Sequence, residues 1–412
     1  MLRRRAHVLS TTLLALALGA TACGSDRAPT TDGPSDAAAS RSTQPLESRE
    51  PAPRLAVTHD GGVMVVDATT GEVLLEEPRP GYLRVAEAGD GRHVLVAGAG
   101  GWEALDLGSW GHDHGDHAHH YVAEPALTGV RIEAEEPGHV VTHGGHTTVF
   151  DDGTGVATSF DAHDLEEGEL DVETYETGAA HHGVAVRLPD RNLLHTVGTE
   201  ESRSGVRLVS PAGLELAATD ACPGVHGEAF TDGAAVLGCE DGAVVVSGRE
   251  VRKASSPDAY GRIGNQAGSD VSPVLLGDYK TDADAELERP TRVSLVDTRN
   301  ARVRLVDLGT SYSFRSLGRG PSGEALVLGT DGALHEIDPA SGRRLRTIEV
   351  VAPWREPLDW QLPRPTLHVV GATAYVTEPA RDAVHVVDLG TGRTTRTIDL
   401  PHTPDEIVAN AG

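Results

Sequence analysis

The run Gly-His-Asp-His-Gly-Asp-His-Ala-His-His-Tyr at 111–121 gathers more potential metal ligands than any other stretch of the chain. It holds His112, His114, His117, His119 and His120 with Asp113 and Asp116. Neutral imidazole is the commonest protein ligand for zinc, and carboxylate oxygen is its usual companion. Gly111 and Gly115 break any helix and allow the backbone to fold around an ion. Several four-ligand sets can be drawn from the run, which favours capture and release of an exchangeable ion over a closed structural site. The plainer alternative is a solvated polar loop. A purification tag does not fit, because Asp and Gly interrupt the run and it lies inside the chain.

The elements that must carry this run follow one repeated phrase. A short apolar strand, a Gly/Asp turn, a second strand and a third strand lead into Asp-x-x-Thr/Ser-Gly. The phrase ends at Asp67 to Gly71, again at Asp338 to Gly342, and again at Asp388 to Gly392. Strands of about five residues with turns every eight to twelve, and a period near 40–45, predict an all-β fold, a β-propeller. No stretch keeps a helical period. Blades are expected near 82–107, 130–160, 182–218, 225–251, 262–308, 314–350 and 367–400. The unmatched ends, 55–75 and 404–409, are expected to pair and close the ring, giving eight blades. Seven is the alternative, because 262–289 is poorly patterned. The His-rich loop 111–121 is then an insertion in the blade at 82–107.

Innermost strands of a propeller surround one axis, so residues at equivalent positions meet although they are distant in sequence. Several such positions are histidine. His182 follows His181 before Gly183, His226 precedes Gly227, and His368 and His402 stand near the start of later inner strands. These four are expected around one mouth of the channel as a second, more ordered metal set, although a lone histidine is more often just a hydrogen-bonded one. His139, His143 and His146 form a further group. On a strand, residues four apart stand about 13 Å apart, too far for one ion unless Gly144 and Gly145 fold His146 back. Asp161, His163 and Asp164 open an acidic stretch that reads mainly as solvated loop.

Composition and the N-terminus set the compartment. The 412 residues carry a formal charge of −27, which disfavours nucleic acid and anionic surfaces and favours cations. Arg3, Arg4 and Arg5 precede an apolar stretch at 8–20 that ends Ala20-Thr21-Ala22-Cys23. This resembles a lipoprotein signal peptide over 1–22, with Cys23 as the lipidated residue and the lipid as the sole membrane attachment. Ala20 stands where Leu is more usual. Residues 23–53 are rich in Ser, Thr, Pro, Ala and Asp, as a disordered tether would be, ahead of a propeller domain at 54–412. Cys222 and Cys239 flank a hairpin over 225–238, so a disulfide is expected in an oxidising compartment, with a cysteine zinc site as the lesser reading.

The whole pattern resembles the extracytoplasmic zinc metallochaperones of the AztD type. The resemblance rests on the exported propeller plan over 55–409, the loop from His112 to His120, His181-His182-Gly183, and Val225-His226-Gly227-Glu228. It implies one ordered zinc site on the propeller, a mobile loop that gathers or relays the ion, and delivery to the zinc solute-binding protein of an ABC transporter. The lipobox departs from a freely diffusing chaperone and implies a tethered one. The contrasting readings are a metal-dependent propeller enzyme of the lactonase kind and a non-catalytic interaction propeller. No nucleophile elbow, Cys–His pair or P-loop stands out, and Trp and Phe number four each, which gives little to stack on a flat redox cofactor. The prevalence of histidine points to zinc over calcium, while imidazole also takes copper and nickel.

Overall fold

The computed structural model describes residues 44–115 and 117–412, with the backbone alone at residue 113. The expected signal peptide 1–22, Cys23 and Asp116 lie outside the described residues, as does the Asp113 side chain. Among the described residues no helix is long and apolar enough to cross a membrane.

The fold is an all-β propeller. Eight antiparallel sheets of four strands follow one another among the described residues, and one of them gains a short parallel addition at Gly261–Arg262. The first sheet draws its innermost strand, Ile407–Ala409, from the C-terminus and pairs it with Arg54–His59. The phrase legible in the sequence is a capped turn. Asp67 Oδ1 accepts the amides of Thr69 and Thr70, Asp388 Oδ1 accepts that of Thr391, and Asp338 Oδ2 accepts the Ser341 hydroxyl. Gly71, Gly342 and Gly392 close these turns at positive φ, which suits a residue without Cβ.

Apolar alternation buries one face of each sheet against the next, and the core is a ring of such interfaces rather than one central mass. Leu55, Val57 and Ile407 of the first sheet pack on Tyr375 and Val384 of the last, while Ala56, Val63 and Val65 pack on Val85, Val94 and Val96 of the second. Corresponding clusters join the remaining neighbours around the ring. The Cys222–Cys239 disulfide lies in one of them, with its Cα atoms 5.0 Å apart across the hairpin His226–Thr231 and Ala234–Cys239.

Buried charge fixes the closing segment. Arg315 on the inner strand Tyr312–Arg319 pairs with Asp405 and, at 2.9 Å, with Glu406; Glu406 also accepts the Val85 amide at 3.0 Å. The segment before the closing strand is thereby tied to both the second and seventh sheets.

Two boundaries differ from the sequence reading. Ala126–Glu133 is the outermost strand of the second sheet, not the opening of the next blade, so the His-rich run interrupts the second sheet between its third strand, Gly101–Asp106, and its fourth. Within the stretch 23–53, Leu46–Ser48 forms a strand beside the His-rich run. Its main chain pairs there although its composition is polar.

Candidate metal centre

Three innermost segments from consecutive sheets bring His139, His182 and His226 together. The ring centroids lie 5.0 Å apart for His139–His182 and His182–His226, and 5.4 Å for His139–His226. The Nε2 atoms of His182 and His226 are 3.1 Å apart. Ligand atoms of all three lie within 4.8 Å of one another. Two nitrogens bound tetrahedrally to one zinc are separated by about 3.3 Å, since each Zn–N bond is about 2.0–2.1 Å. The pair already stands near that spacing.

Two of the imidazoles meet an acceptor through their other nitrogen, and the third has a carboxyl nearby. His182 Nδ1 lies 2.5 Å from Asp152 Oδ2, His226 Nδ1 lies 2.6 Å from the Gly264 carbonyl oxygen, and His139 Nδ1 lies 3.8 Å from Glu228 Oε2. A backbone carbonyl can only accept, so His226 carries its proton on Nδ1 and leaves the Nε2 lone pair facing His182. Outer partners of this kind fix the tautomer and orientation of metal-binding histidines.

Local irregularities create the arrangement. The register shifts between Pro137 and Val140, where His139 sits, and again between His226 and Glu228. Gly227 supplies the second shift with φ +66, and a Cβ there would meet Gln266 Oε1 at 2.4 Å. Gly138 lets Asp152 approach, since a Cβ at that position would lie 2.3 Å from Asp152 Oδ1. Both glycines allow contacts that a β-bulge re-aims toward the site.

The electrostatics favour neutral ligands. Burial, followed by the charge of His182, lowers His226 to about 3. Burial also holds His139 well below the usual imidazole range, with His226 and His182 adding to the effect. Glu228 is raised to about 8 by burial, so it is mainly protonated at neutral pH. His139 and His226 are therefore offered as unprotonated imidazoles, with Asp152 and an ionisable Glu228 nearby to offset an incoming dication.

The other expected axial histidines go elsewhere. His368 Nε2 lies 3.3 Å from the Ala409 carbonyl oxygen and 3.5 Å from Glu87. His402 stacks on His59 and pairs with Glu76. His181 is buried between the Ala179 carbonyl oxygen and the Thr196 hydroxyl, and His143 stacks on Phe230. Sequence spacing groups His139 with His143 and His146. Its partners instead come from the two following sheets, a convergence that spacing within one strand does not reveal.

The His-rich run forms a hairpin, Ser109–Asp113 and Ala118–Val122, with Leu46–Ser48 as a third strand. Pairing divides its histidines. His114, His117 and His119 face one another with ring centroids 5.0–5.6 Å apart, and His119 Nδ1 reaches Glu47 Oε1 at 2.6 Å. His112 turns to the Trp110 indole and His120 to the Gly412 carbonyl oxygen. The freely folding loop expected from Gly111 and Gly115 is thus a hairpin, with Arg92 stacked on Trp110 at its base. Glu47 gave no signal in the sequence, because its stretch read as tether.

The hairpin and the triad occupy opposite faces of the ring. His182 and His226 stand where innermost strands begin. A third strand runs parallel to the first, so the hairpin, which follows the end of Gly101–Asp106, emerges where innermost strands finish. Its contact with Gly412, beyond the closing strand, agrees.

With that geometry established, comparison with known proteins locates the chain. It is 26% identical over 367 residues to the zinc chaperone AztD of Citrobacter koseri, covering 86% of this chain and 85% of that protein. The chain resembles AztD. The crystal structure of Citrobacter koseri AztD superposes with a TM-score of 0.77 at 25% identity, covering 88% of this chain and 98% of the other. The structure of apo AztD gives 0.76 at 24%. The dihydro-heme d1 dehydrogenase NirN, at 14% identity and a TM-score of 0.54, shares the fold alone. No family model matches the chain.

Proposed function

We propose that this protein is an extracytoplasmic zinc metallochaperone that binds the ion as cargo, performs no catalysis, and passes it to the solute-binding protein of a zinc ABC transporter. The observation that carries the reading is the convergence of His139, His182 and His226, with an acceptor holding the outer nitrogen of His182 and of His226. The likeness to AztD supports the choice of zinc and of a chaperone role. Three protein ligands leave a fourth position open, and an open position is what a recipient's ligand needs to begin exchange. The hairpin histidines His112, His114, His117, His119 and His120, with Asp113 and Asp116, gather zinc on the other face. Cys23, once lipidated, tethers the molecule to the outer side of the cell membrane.

The test is transfer from zinc-loaded protein to the cognate solute-binding protein, in the presence of a chelator strong enough to trap free zinc. Transfer that outpaces release to the chelator is the expected result. Zinc reaching the recipient no faster than it reaches the chelator would exclude a chaperone role.

A further inference from the structure

A second cluster lies outside both histidine sets. His59 ends the strand Arg54–His59, Glu76 lies on Val73–Pro78, and His402 precedes the closing strand. Their ligand atoms lie within 4.8 Å of one another. His59 is 7% exposed and stacks on His402 with ring centroids 4.2 Å apart and planes 12° from parallel. His402 Nε2 lies 2.9 Å from Glu76 Oε1.

His59 supplies the observation that points to a ligand. Its Nδ1 lies 3.0 Å from the Asp60 carbonyl oxygen, which can only accept, so Nδ1 carries the proton. Nε2 is then a bare lone pair, and it is buried with no hydrogen-bond partner. Buried polar atoms are nearly always satisfied, and an orphan in a native fold calls for an explanation. A cation supplies one. We propose that His59 Nε2, His402 and Glu76 form a separate site for a divalent first-row ion, zinc above all.

Two imidazoles and one carboxylate make a borderline donor set that suits zinc and leaves one position open. The parallel rings do not yet converge on a point. His402 and Glu76 have side-chain exposures of 40% and 46%, so both are free to swing while His59 remains fixed. As the ion enters, it displaces the proton between His402 Nε2 and Glu76, and His402 ligates as a neutral imidazole with its one proton on Nδ1. One fixed ligand and two mobile ones make a readily exchanged site. The end of Arg54–His59 adjoins the start of the antiparallel closing strand, which puts the cluster on the same face as His139, His182 and His226. Zinc can thus be held at two places on the face opposite the hairpin.

The experiment counts zinc equivalents by equilibrium dialysis and elemental analysis on the full, untagged chain, comparing wild type with His402→Ala and Glu76→Gln. His402→Ala should lose one equivalent and Glu76→Gln should weaken that equivalent at least tenfold, while zinc transfer from the triad continues. His402 is surface-lying, so the variant keeps its fold; an unchanged circular dichroism spectrum checks this. His59→Gln, which restores a polar group at the buried position, should lose the same equivalent. Unchanged stoichiometry and affinity in all three variants would overturn the site. Loss of transfer would instead bear on the triad, so the two readings fail separately.

Discussion

His182 and His226 are 44 residues apart in sequence, yet their Nε2 atoms stand 3.1 Å apart across two neighbouring sheets. Neither ring reaches the other by local structure. Each is placed at the head of an inner strand, and each is held from behind, one by Asp152 and one by the Gly264 carbonyl.

The outer partner can be removed without touching a ligand. Asp152→Asn keeps the shape but loses the charge behind His182 and its preference for one tautomer. Zinc affinity at the triad should fall by about 10–100-fold, the usual effect of such a change, with little change in melting temperature. Competition with a chromophoric chelator would measure it. Unchanged affinity would mean that His182 does not bind zinc in the orientation seen.

The pH dependence follows from burial. From imidazole chemistry alone, zinc binding should fade below about pH 6, near the ordinary pKa of about 6.5. His226 is instead lowered to about 3 and His139 well below its usual range, so protons compete with zinc less strongly. Zinc should therefore stay on the triad to lower pH than imidazole chemistry alone allows. The same shift has the opposite sign for stability. The unfolded chain takes up protons on these histidines below about 6.5 while the folded apo-protein does not, so apo stability should fall as pH drops from 6.5 toward 3. Chelator competition and thermal melts at pH 7 and pH 5 test both halves.

Glu228 is raised to about 8, so folding costs free energy once the unfolded carboxyl ionises above about 4.5. Its destabilising effect grows as pH rises from 4.5 to 8. Glu228→Gln should therefore stabilise the apo-protein at pH 8 by about 1–3 kcal/mol, treating each pKa unit as about 1.4 kcal/mol and allowing for relaxation. Zinc affinity should fall in the same variant, because the carboxylate that would offset the dication is gone. Denaturant melts at pH 5 and pH 8 should show the gain only at the higher pH.

Closure of the ring should be a large part of stability. Cutting the chain after Pro401 removes Asp405, Glu406 and the strand Ile407–Ala409, all of them buried. A milder probe is Arg315→Leu, which leaves Asp405 buried without its ion-pair partner and Glu406 with Arg84 alone, and should cost about 3–5 kcal/mol. Both should lower the melting temperature of the whole domain; an unchanged melt for the truncation would contradict closure by this strand.

Much of the architecture was readable because its turns are chemical. An aspartate that accepts two amides, followed by a glycine at positive φ, leaves Asp-x-x-Thr/Ser-Gly in the sequence wherever it occurs. His182 and His226 were readable for a related reason, since both stand at or just before the start of an inner strand and precede a glycine. His139 was not, because its direction depends on a register shift that leaves no residue signature. His368 and His402 occupy positions like those of His182 and His226, yet their side chains turn toward Ala409 and Glu76. Equivalent backbone positions do not fix side-chain direction. Glu47 entered through main-chain pairing of a polar strand, which composition does not reveal.

The central claim is that His139, His182 and His226 hold the cargo ion, and titration against a competing chelator tests it most directly. Three full-length proteins suffice: wild type, a deletion of 112–120, and His182→Ala with His226→Ala. The hairpin deletion should keep one tight equivalent and load more slowly, whereas the double substitution should lose that equivalent and keep only weaker ones. If deleting 112–120 abolishes all tight binding and the double substitution changes nothing, the triad is not the zinc site.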